Sequence, residues 1–207
     1  MEIRAARDEG TGIVQKLTRR DLMSLEQYSS ERARLRQEVI AHKQLRNLQV
    51  GPNMTWCFED RTTIRYQILE MLRAERIFES EGIESELGAY NPLIPDGSNW
   101  KVTLLIEFAD PVERQRALEG LIGVEDRCWI RISEMERVFA IADEDMEREN
   151  EAKTSAVHFL RFELTKSMIE AVRSGASVSV GVDHDRYRHS LSPISSPARD
   201  ALSRDFD

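Results

Sequence analysis

Several predicted strands in this chain follow one another through short turns, and helical segments separate the others irregularly. Alternation of apolar and polar residues with a period of two predicts the strands. They cover residues 54–59, 100–108, 128–132, 138–142, 156–164, 178–184 and 187–191. The pattern does not form a regular series of strand, helix and parallel strand. It therefore predicts an α+β fold with a mainly antiparallel sheet packed against several helices.

Capping residues and helical periodicity predict helices that cover this sheet. Thr, Asp and Pro stand at the starts of the periodic segments, and Gly follows several of their ends. The predicted helices cover about 18–28, 30–48, 61–79, 111–121 and 165–175. The chain is thus predicted to form a single domain over residues 17–192. A flexible extension at 1–16 precedes it, and a Ser/Pro-rich tail with a short helix at 193–207 follows it.

The charge and hydropathy of the chain argue against two broad classes of partner, although a local basic groove remains compatible with the overall charge. Its 37 acidic and 29 basic residues give a formal net charge of −8, whereas charge-driven binding to nucleic acid needs a basic face. No run of 18 apolar residues occurs, so no segment is expected to span a membrane. The polar N-terminus also lacks the apolar core of a signal peptide.

The two cysteines, Cys57 and Cys128, indicate a reducing compartment. They are too few for a disulfide framework or a multi-cysteine zinc site. Both lie in apolar, strand-like segments, where a free cysteine usually acts as a small hydrophobic residue. We therefore predict a cytoplasmic protein with reduced thiols.

Common catalytic motifs do not occur in the chain. The phosphate-binding GxxxxGK and GxGxxG patterns, the hydrolase pattern GxSxG and the metalloprotease pattern HExxH are all absent from the sequence. Their absence argues against the most common nucleotide-binding, hydrolase and metalloprotease classes.

Three ionisable residues interrupt faces that are otherwise apolar. Glu75 lies within the apolar stripe of the 61–79 helix, and His158 and His184 each share a strand face with apolar neighbours. If these faces enclose one core, the three side chains meet there. Gln67, at the edge of the helical stripe, and Asp183, beside His184, are then the residues expected to orient them.

Two imidazoles and a carboxylate have two chemical interpretations and one structural interpretation. They match the ligand set of a non-haem iron or three-ligand zinc site, which makes iron or zinc the predicted cofactor. A desolvated Glu75 beside a histidine is alternatively an acid/base pair. In the structural interpretation, each histidine bonds a backbone carbonyl and Glu75 pairs with an arginine. Tyr90, Asn91 and Pro92, with Trp100, are either a second candidate groove or a packed loop.

The acidic segment 143–151 has the composition of a calcium-binding loop but not its pattern. It lacks the central glycine and the regular ligand spacing of an EF-hand loop. We interpret it as a solvated connector.

Five segments of the chain resemble one bacterial family. They are KLTRRDLMSLEQY (16–28), TWCFEDRTTIRYQILEMLRAERI (55–77), ELGAYNPLIPDG (86–97), KTSAVHFLRFELT (153–165) and VSVGVDHDRY (178–187). They are similar to the family catalogued as domain of unknown function 3501, over about residues 16–190. The resemblance supplies no established activity and no catalytic residues to assign to this chain. Members are encoded near rubrerythrin-like and iron–sulfur or flavin oxidoreductase genes, which implies an association with redox or peroxide-defence metabolism.

Three functions are consistent with these observations. The first is a cytoplasmic accessory or ligand-binding module that docks on a redox enzyme or carries a small ligand, which requires no catalytic signature. The second is a metal-dependent or acid/base enzyme that uses Glu75, His158 and His184. The third, and the least supported, is a nucleic-acid-binding or regulatory protein that uses its arginine-rich helix surfaces.

Overall fold

The computed structural model describes residues 16–144 and 153–206, and these form an α+β domain as predicted. The helices are α1 (Leu25–Lys43), α2 (Arg61–Ala74), α3 (Ser80–Tyr90), α4 (Pro111–Gly120), α5 (Lys166–Arg173) and α6 (Ser196–Ser203). The strands are β1 (Asn47–Gln49), β2 (Met54–Phe58), β3 (Asn99–Ile106), β4 (Cys128–Ile132), β5 (Val138–Phe139), β6 (Ile141–Ala142), β7 (Val157–Glu163), β8 (Val178–His184) and β9 (Tyr187–Leu191).

The strands form two antiparallel sheets. The larger sheet has the order β1-β2-β3-β7-β6, and the smaller one has the order β5-β4-β8-β9. A tight turn at Gly51, whose φ is +73°, joins β1 to β2. A Cβ atom at this position would lie 2.5 Å from the ring of His189 and 2.6 Å from the hydroxyl of Tyr187. Glycine is therefore required both by the backbone conformation and by the close approach of β9.

The main core joins both sheets. Trp56 stacks on Phe162 with ring centroids 5.5 Å apart, and Ile130 and Val180 contribute from the smaller sheet. A second apolar cluster joins α2 and α3 to the segments before α1 and β3. Its buried members are Leu17, Ile64, Ile68, Leu72, Leu87 and Ile94. The α2–α3 pair therefore has its own core, on the side of the larger sheet that faces away from the smaller one.

The predicted helix at 30–48 has different bounds in the structure. Ser24 accepts a hydrogen bond from the backbone of Gln27 at 3.2 Å and caps α1, so one helix replaces the two that were predicted. This helix ends at Lys43, and residues 47–49 form β1 instead.

The predicted helix at 61–79 is shorter in the structure, where α2 covers Arg61–Ala74 and a connection follows it. Asp60 caps α2 as predicted, and accepts a hydrogen bond from Thr63 N at 2.8 Å. The helix ends at Ala74, because Arg76 adopts a positive φ of 56° that no right-handed helix can continue through. Helix α3 then begins at Ser80. Glu75 is consequently the C-cap residue and does not belong to the apolar stripe.

The C-terminal stretch, predicted as a tail outside the domain, packs into the main core. Ala198, Leu202 and Phe206 repeat every four residues and bury one face of α6 and the turn after it. Trp100 Nε1 donates a hydrogen bond of 3.0 Å to the carbonyl of Leu202. The stretch is therefore part of the fold.

No helix in the described part of the chain is both long enough and apolar enough to cross a bilayer. Residues 1–15 of the predicted extension and residues 145–151 of the acidic segment lie outside the described part of the chain.

Candidate functional site

His158 is buried on the core-facing side of β7, as the strand pattern predicts. Its exposed fraction is 0%. Nδ1 lies 2.6 Å from Asp143 Oδ2, and Nε2 lies 2.9 Å from the hydroxyl of Thr154 and 3.1 Å from the carbonyl of Ser155. Both ring nitrogens therefore have hydrogen-bonding partners inside the protein.

Glu125 adds a second carboxylate to this buried group. Its Oε2 lies 3.8 Å from His158 Nε2. One ligand atom from each of Glu125, Asp143 and His158 falls within 4.8 Å of the other two. Among the residues described, this is the one group of three or more His, Cys, Asp and Glu side chains that meets this criterion. We call these three residues the His158 centre.

Glu125 and Asp143 were not predicted as site residues. Glu125 begins a 3-10 helix just before β4, and Asp143 follows β6 with a positive φ of 46°. Asp143 belongs to an acidic run that was visible in the sequence, but nothing in the sequence distinguishes it from its acidic neighbours. Its approach to His158 depends on the pairing of β6 with β7.

The structure corrects the predicted grouping of His158 with Glu75 and His184. Glu75 is exposed at the end of α2. His184 is half-buried at the end of β8 in the smaller sheet, where Nε2 lies 3.2 Å from the carbonyl of Ile122 and Nδ1 accepts a hydrogen bond from Arg186 N. The prediction assumed that the 61–79 helix continues past Ala74 and that both strands share one site, and neither assumption holds.

The two residues predicted to orient that site also lie elsewhere. Gln67 is half-buried on α2. Asp183 is exposed on β8, where it lies 3.3 Å from Arg137 and 3.5 Å from Arg188. Exposed ion pairs of this kind contribute little to stability.

Asp143 also fixes the edge of the larger sheet. Its Oδ1 accepts a hydrogen bond of 2.9 Å from Phe159 N, and its own N–H donates to the Phe159 carbonyl at 2.8 Å. Glu144, the next residue, binds Arg161 through two hydrogen bonds of 2.7 Å. The pair Asp143–Glu144 thus contacts both faces of β7: the core face at His158 and the outer face at Arg161.

A cavity of about 340 Å³ lies on that outer face, between the α2–α3 pair and strands β3 and β7. Its walls are mostly apolar. The apolar part of the walls is formed by Met71, Ala89, Tyr90, Pro92, Leu93 and Phe159. Tyr90 and Pro92 belong to the predicted candidate groove, whereas Trp100 lies in the main core. We call this space the α3 cavity.

The charged side chains that line the α3 cavity are Glu86, Lys101, Glu144 and Arg161. Lys101 and Arg161 are opposite one another on β3 and β7. Desolvation, followed by the charge of Arg161, lowers the pKa of Lys101 below its usual 10.5. Glu86, on α3, has a raised pKa because it is partly desolvated and because Glu75 is nearby. Glu75 therefore acts electrostatically near the cavity and not at the His158 centre.

Arg161 is paired with carboxylates, whereas Lys101 forms no salt bridge with a carboxylate that the structure describes. Glu144 and Glu163 both hold Arg161, and their hydrogen bonds raise its pKa. Across residues 16–144 and 153–206, no carboxylate forms a salt bridge with Lys101. The cavity thus combines apolar walls with one half-buried amine that has no ion-pair partner in the described chain.

Comparisons with known proteins give a family and a solved structure. A family model described as "Protein of unknown function (DUF3501)" matches residues 16–206. A crystal structure from Burkholderia pseudomallei K96243, described as a novel protein of unknown function, is 47% identical to this chain. It covers 93% of this chain and 100% of its own, with a TM-score of 0.89. No curated protein matches the chain.

Proposed function

The chain belongs to the DUF3501 family, and within that family we propose that it is a cytoplasmic small-molecule-binding protein whose site is the α3 cavity. The observation that carries this proposal is the combination of an apolar cavity of about 340 Å³ with the half-buried amine of Lys101. Most small-molecule sites are apolar concavities with a few placed polar groups that orient the ligand.

The charges around the cavity favour a ligand with an apolar body and a polar or anionic end. Met71 and Phe159 offer apolar surface for the body. Lys101 supplies a donor and a positive charge that the described carboxylates leave unpaired. Arg161 is held by Glu144 and Glu163, so it shapes the wall and leaves Lys101 as the group that meets the ligand.

The cysteines support the cytoplasmic part of the proposal. Cys57 and Cys128 are free and buried, and burial raises the pKa of both thiols, so both stay protonated and unreactive. The link to a redox partner rests on the sequence resemblance alone and stays a prediction.

A fluorescent apolar anion tests the proposed site. We expect anilinonaphthalene sulfonate to bind the folded protein with a stoichiometry of one, as measured by fluorescence titration. Ala89→Trp places a large ring in the cavity and is expected to weaken binding by more than about tenfold, a loss of about 1.4 kcal/mol.

The matched control is Ala33→Trp, on an exposed position of α1 that does not line the α3 cavity. It is expected to bind the dye as the wild type does. Equal affinity for the dye in wild type, Ala89→Trp and Ala33→Trp would contradict the proposed site.

A metal centre at Glu125, Asp143 and His158 is the second candidate function. Metal ligands lie about 2.0–2.2 Å from their ion, so two donor atoms lie within about 4 Å of each other. His158 Nε2 and Glu125 Oε2 meet this condition at 3.8 Å, with Asp143 orienting the imidazole through Nδ1. It ranks second because an ion would have to replace the hydrogen bonds that Nε2 already makes.

Elemental analysis of protein purified without an affinity tag tests this second candidate. If it is correct, the protein contains about one iron or zinc per chain, and His158→Asn loses it while His184→Asn keeps it. A hundredfold excess of the ion over its Kd would also raise the free energy of unfolding by about 2.7 kcal/mol. Metal-free protein whose unfolding midpoint does not respond to either ion would eliminate the metal centre.

A further inference from the structure

We propose that Lys101 is a reactive amine, and that the α3 cavity binds carbonyl compounds which form an imine with its Nζ. This inference rests on the proposed function, because it names the ligand class of the same cavity. It goes beyond that function by assigning a covalent step to one side chain.

Burial and position make Lys101 suited to this chemistry. It lies on β3, directly opposite Arg161 on β7, and its side chain lines an apolar cavity. A lysine becomes nucleophilic when an apolar pocket or a neighbouring cation disfavours its charged form. Both conditions are present here, and they act in the same direction on the amine.

The electrostatic surroundings of Lys101 have a clear net direction. Desolvation and Arg161 lower its pKa, whereas the carboxylates of Glu144, Asp96 and Glu163 raise it, and the lowering effects are larger. Glu144 and Glu163 accept hydrogen bonds from Arg161. Asp96 accepts hydrogen bonds from the side chains of Ser98 and Asn99. A larger fraction of Lys101 is therefore neutral near physiological pH than of an ordinary lysine.

The covalent step needs no oxidant or reductant. The lone pair of neutral Nζ forms a bond to the carbonyl carbon, and one proton passes from the nitrogen to the former carbonyl oxygen to give a neutral carbinolamine. Loss of the hydroxyl group and of the nitrogen-bound proton then releases one water and leaves the C=N bond. Glu86 lines the same cavity, and its raised pKa suits a carboxyl group that exchanges protons with the carbinolamine.

Reductive trapping on the intact protein tests this assignment. The protein is incubated with benzaldehyde and sodium cyanoborohydride at neutral pH, and each benzylated lysine is quantified by peptide mass spectrometry. Labelling of Lys101 is expected to be several-fold faster than that of Lys166, an exposed lysine at the start of α5.

Two variants keep the test decisive. Lys101→Arg retains the charge but removes the nucleophile, and is expected to lose the cavity adduct while keeping the wild-type unfolding midpoint. Ala89→Trp is expected to slow labelling at Lys101 and leave Lys166 unchanged.

Equal labelling rates for Lys101 and Lys166 in protein that still binds anilinonaphthalene sulfonate would overturn the imine assignment and leave the binding cavity in place. Failure of the dye to bind would instead count against the proposed function. The two failures are thus distinguishable.

Discussion

Replacing Arg46 with alanine is expected to lower the free energy of unfolding by about 3–5 kcal/mol, the cost of removing one partner from a buried ion pair. Arg46 is 2% exposed. Its guanidinium donates to Asp205 Oδ2 at 2.6 Å and to the backbone carbonyls of Phe58 and Glu59 at 2.9 and 3.0 Å. One side chain thus joins the end of β2 to the C-terminal turn, and urea-induced unfolding measures its contribution.

The pKa of Asp205 gives this prediction a pH signature. Burial raises it from 3.8 to about 6, although Arg46 opposes the rise. When folding raises the pKa of a carboxyl group, the group contributes its full stabilisation at pH values below the pKa of the unfolded state. That contribution is lost as the pH rises through the pKa of the folded state. In Arg46→Ala, lowering the pH from 7 toward 5 is therefore expected to recover part of the lost stability. The double variant Arg46→Ala/Asp205→Asn is expected to recover part of the lost stability at pH 7, because it removes the buried carboxyl group.

An exposed arginine provides the control for Arg46. Arg188 pairs with Asp185 at 2.8 Å on the surface of β9, and Arg188→Ala is expected to cost no more than about 1 kcal/mol. A comparable loss for both arginines, or no pH-dependent recovery in Arg46→Ala, would contradict the role assigned to the buried pair.

Replacing His158 with leucine is the second large effect, with an expected loss of about 3–5 kcal/mol. The substitution removes the imidazole from between Asp143 and Glu125, two carboxylates in a water-poor interior, and removes the partner of the Thr154 hydroxyl. Leucine fills much of the same volume, so the loss reports on polar contacts more than on packing. Thermal or urea unfolding in the presence of a chelator measures this loss independently of metal.

His184→Leu is the matched control for the His158 variant. His184 is half-buried and forms hydrogen bonds with the carbonyl of Ile122 and the backbone N–H of Arg186, so its replacement is expected to cost about 1 kcal/mol or less. Adding Asp143→Asn to His158→Leu is expected to recover part of the loss, because an amide then replaces the carboxyl group that lies nearest to the removed imidazole. Wild-type stability of His158→Leu in chelator would show that the His158 centre contributes nothing to folding.

The candidate sites divide into parts that the sequence predicts and parts that it does not. The burial of His158 could be predicted because side chains alternate between the two faces of a strand, and His158 shares its face with Leu160 and Phe162. Glu75 failed as a candidate because the helical stripe was extended beyond Ala74, and the positive φ of Arg76 has no signature in that periodicity. The α3 cavity was indicated only by Tyr90 and Pro92, and its amine, Lys101, was not recognised as a site residue.

Local sequence alone determined the α+β class, most strands, the cap at Asp60 and the inward orientation of His158, because caps and side-chain parity depend on residues only a few positions apart. The tertiary structure decided which groups meet. The order β3-β7-β6 brings Asp143 to His158, and the position of α3 beside β3 and β7 partly buries Lys101. Those contacts join residues that are far apart in the chain, and their energies depend on desolvation, which exists only once the sheets and helices have packed together.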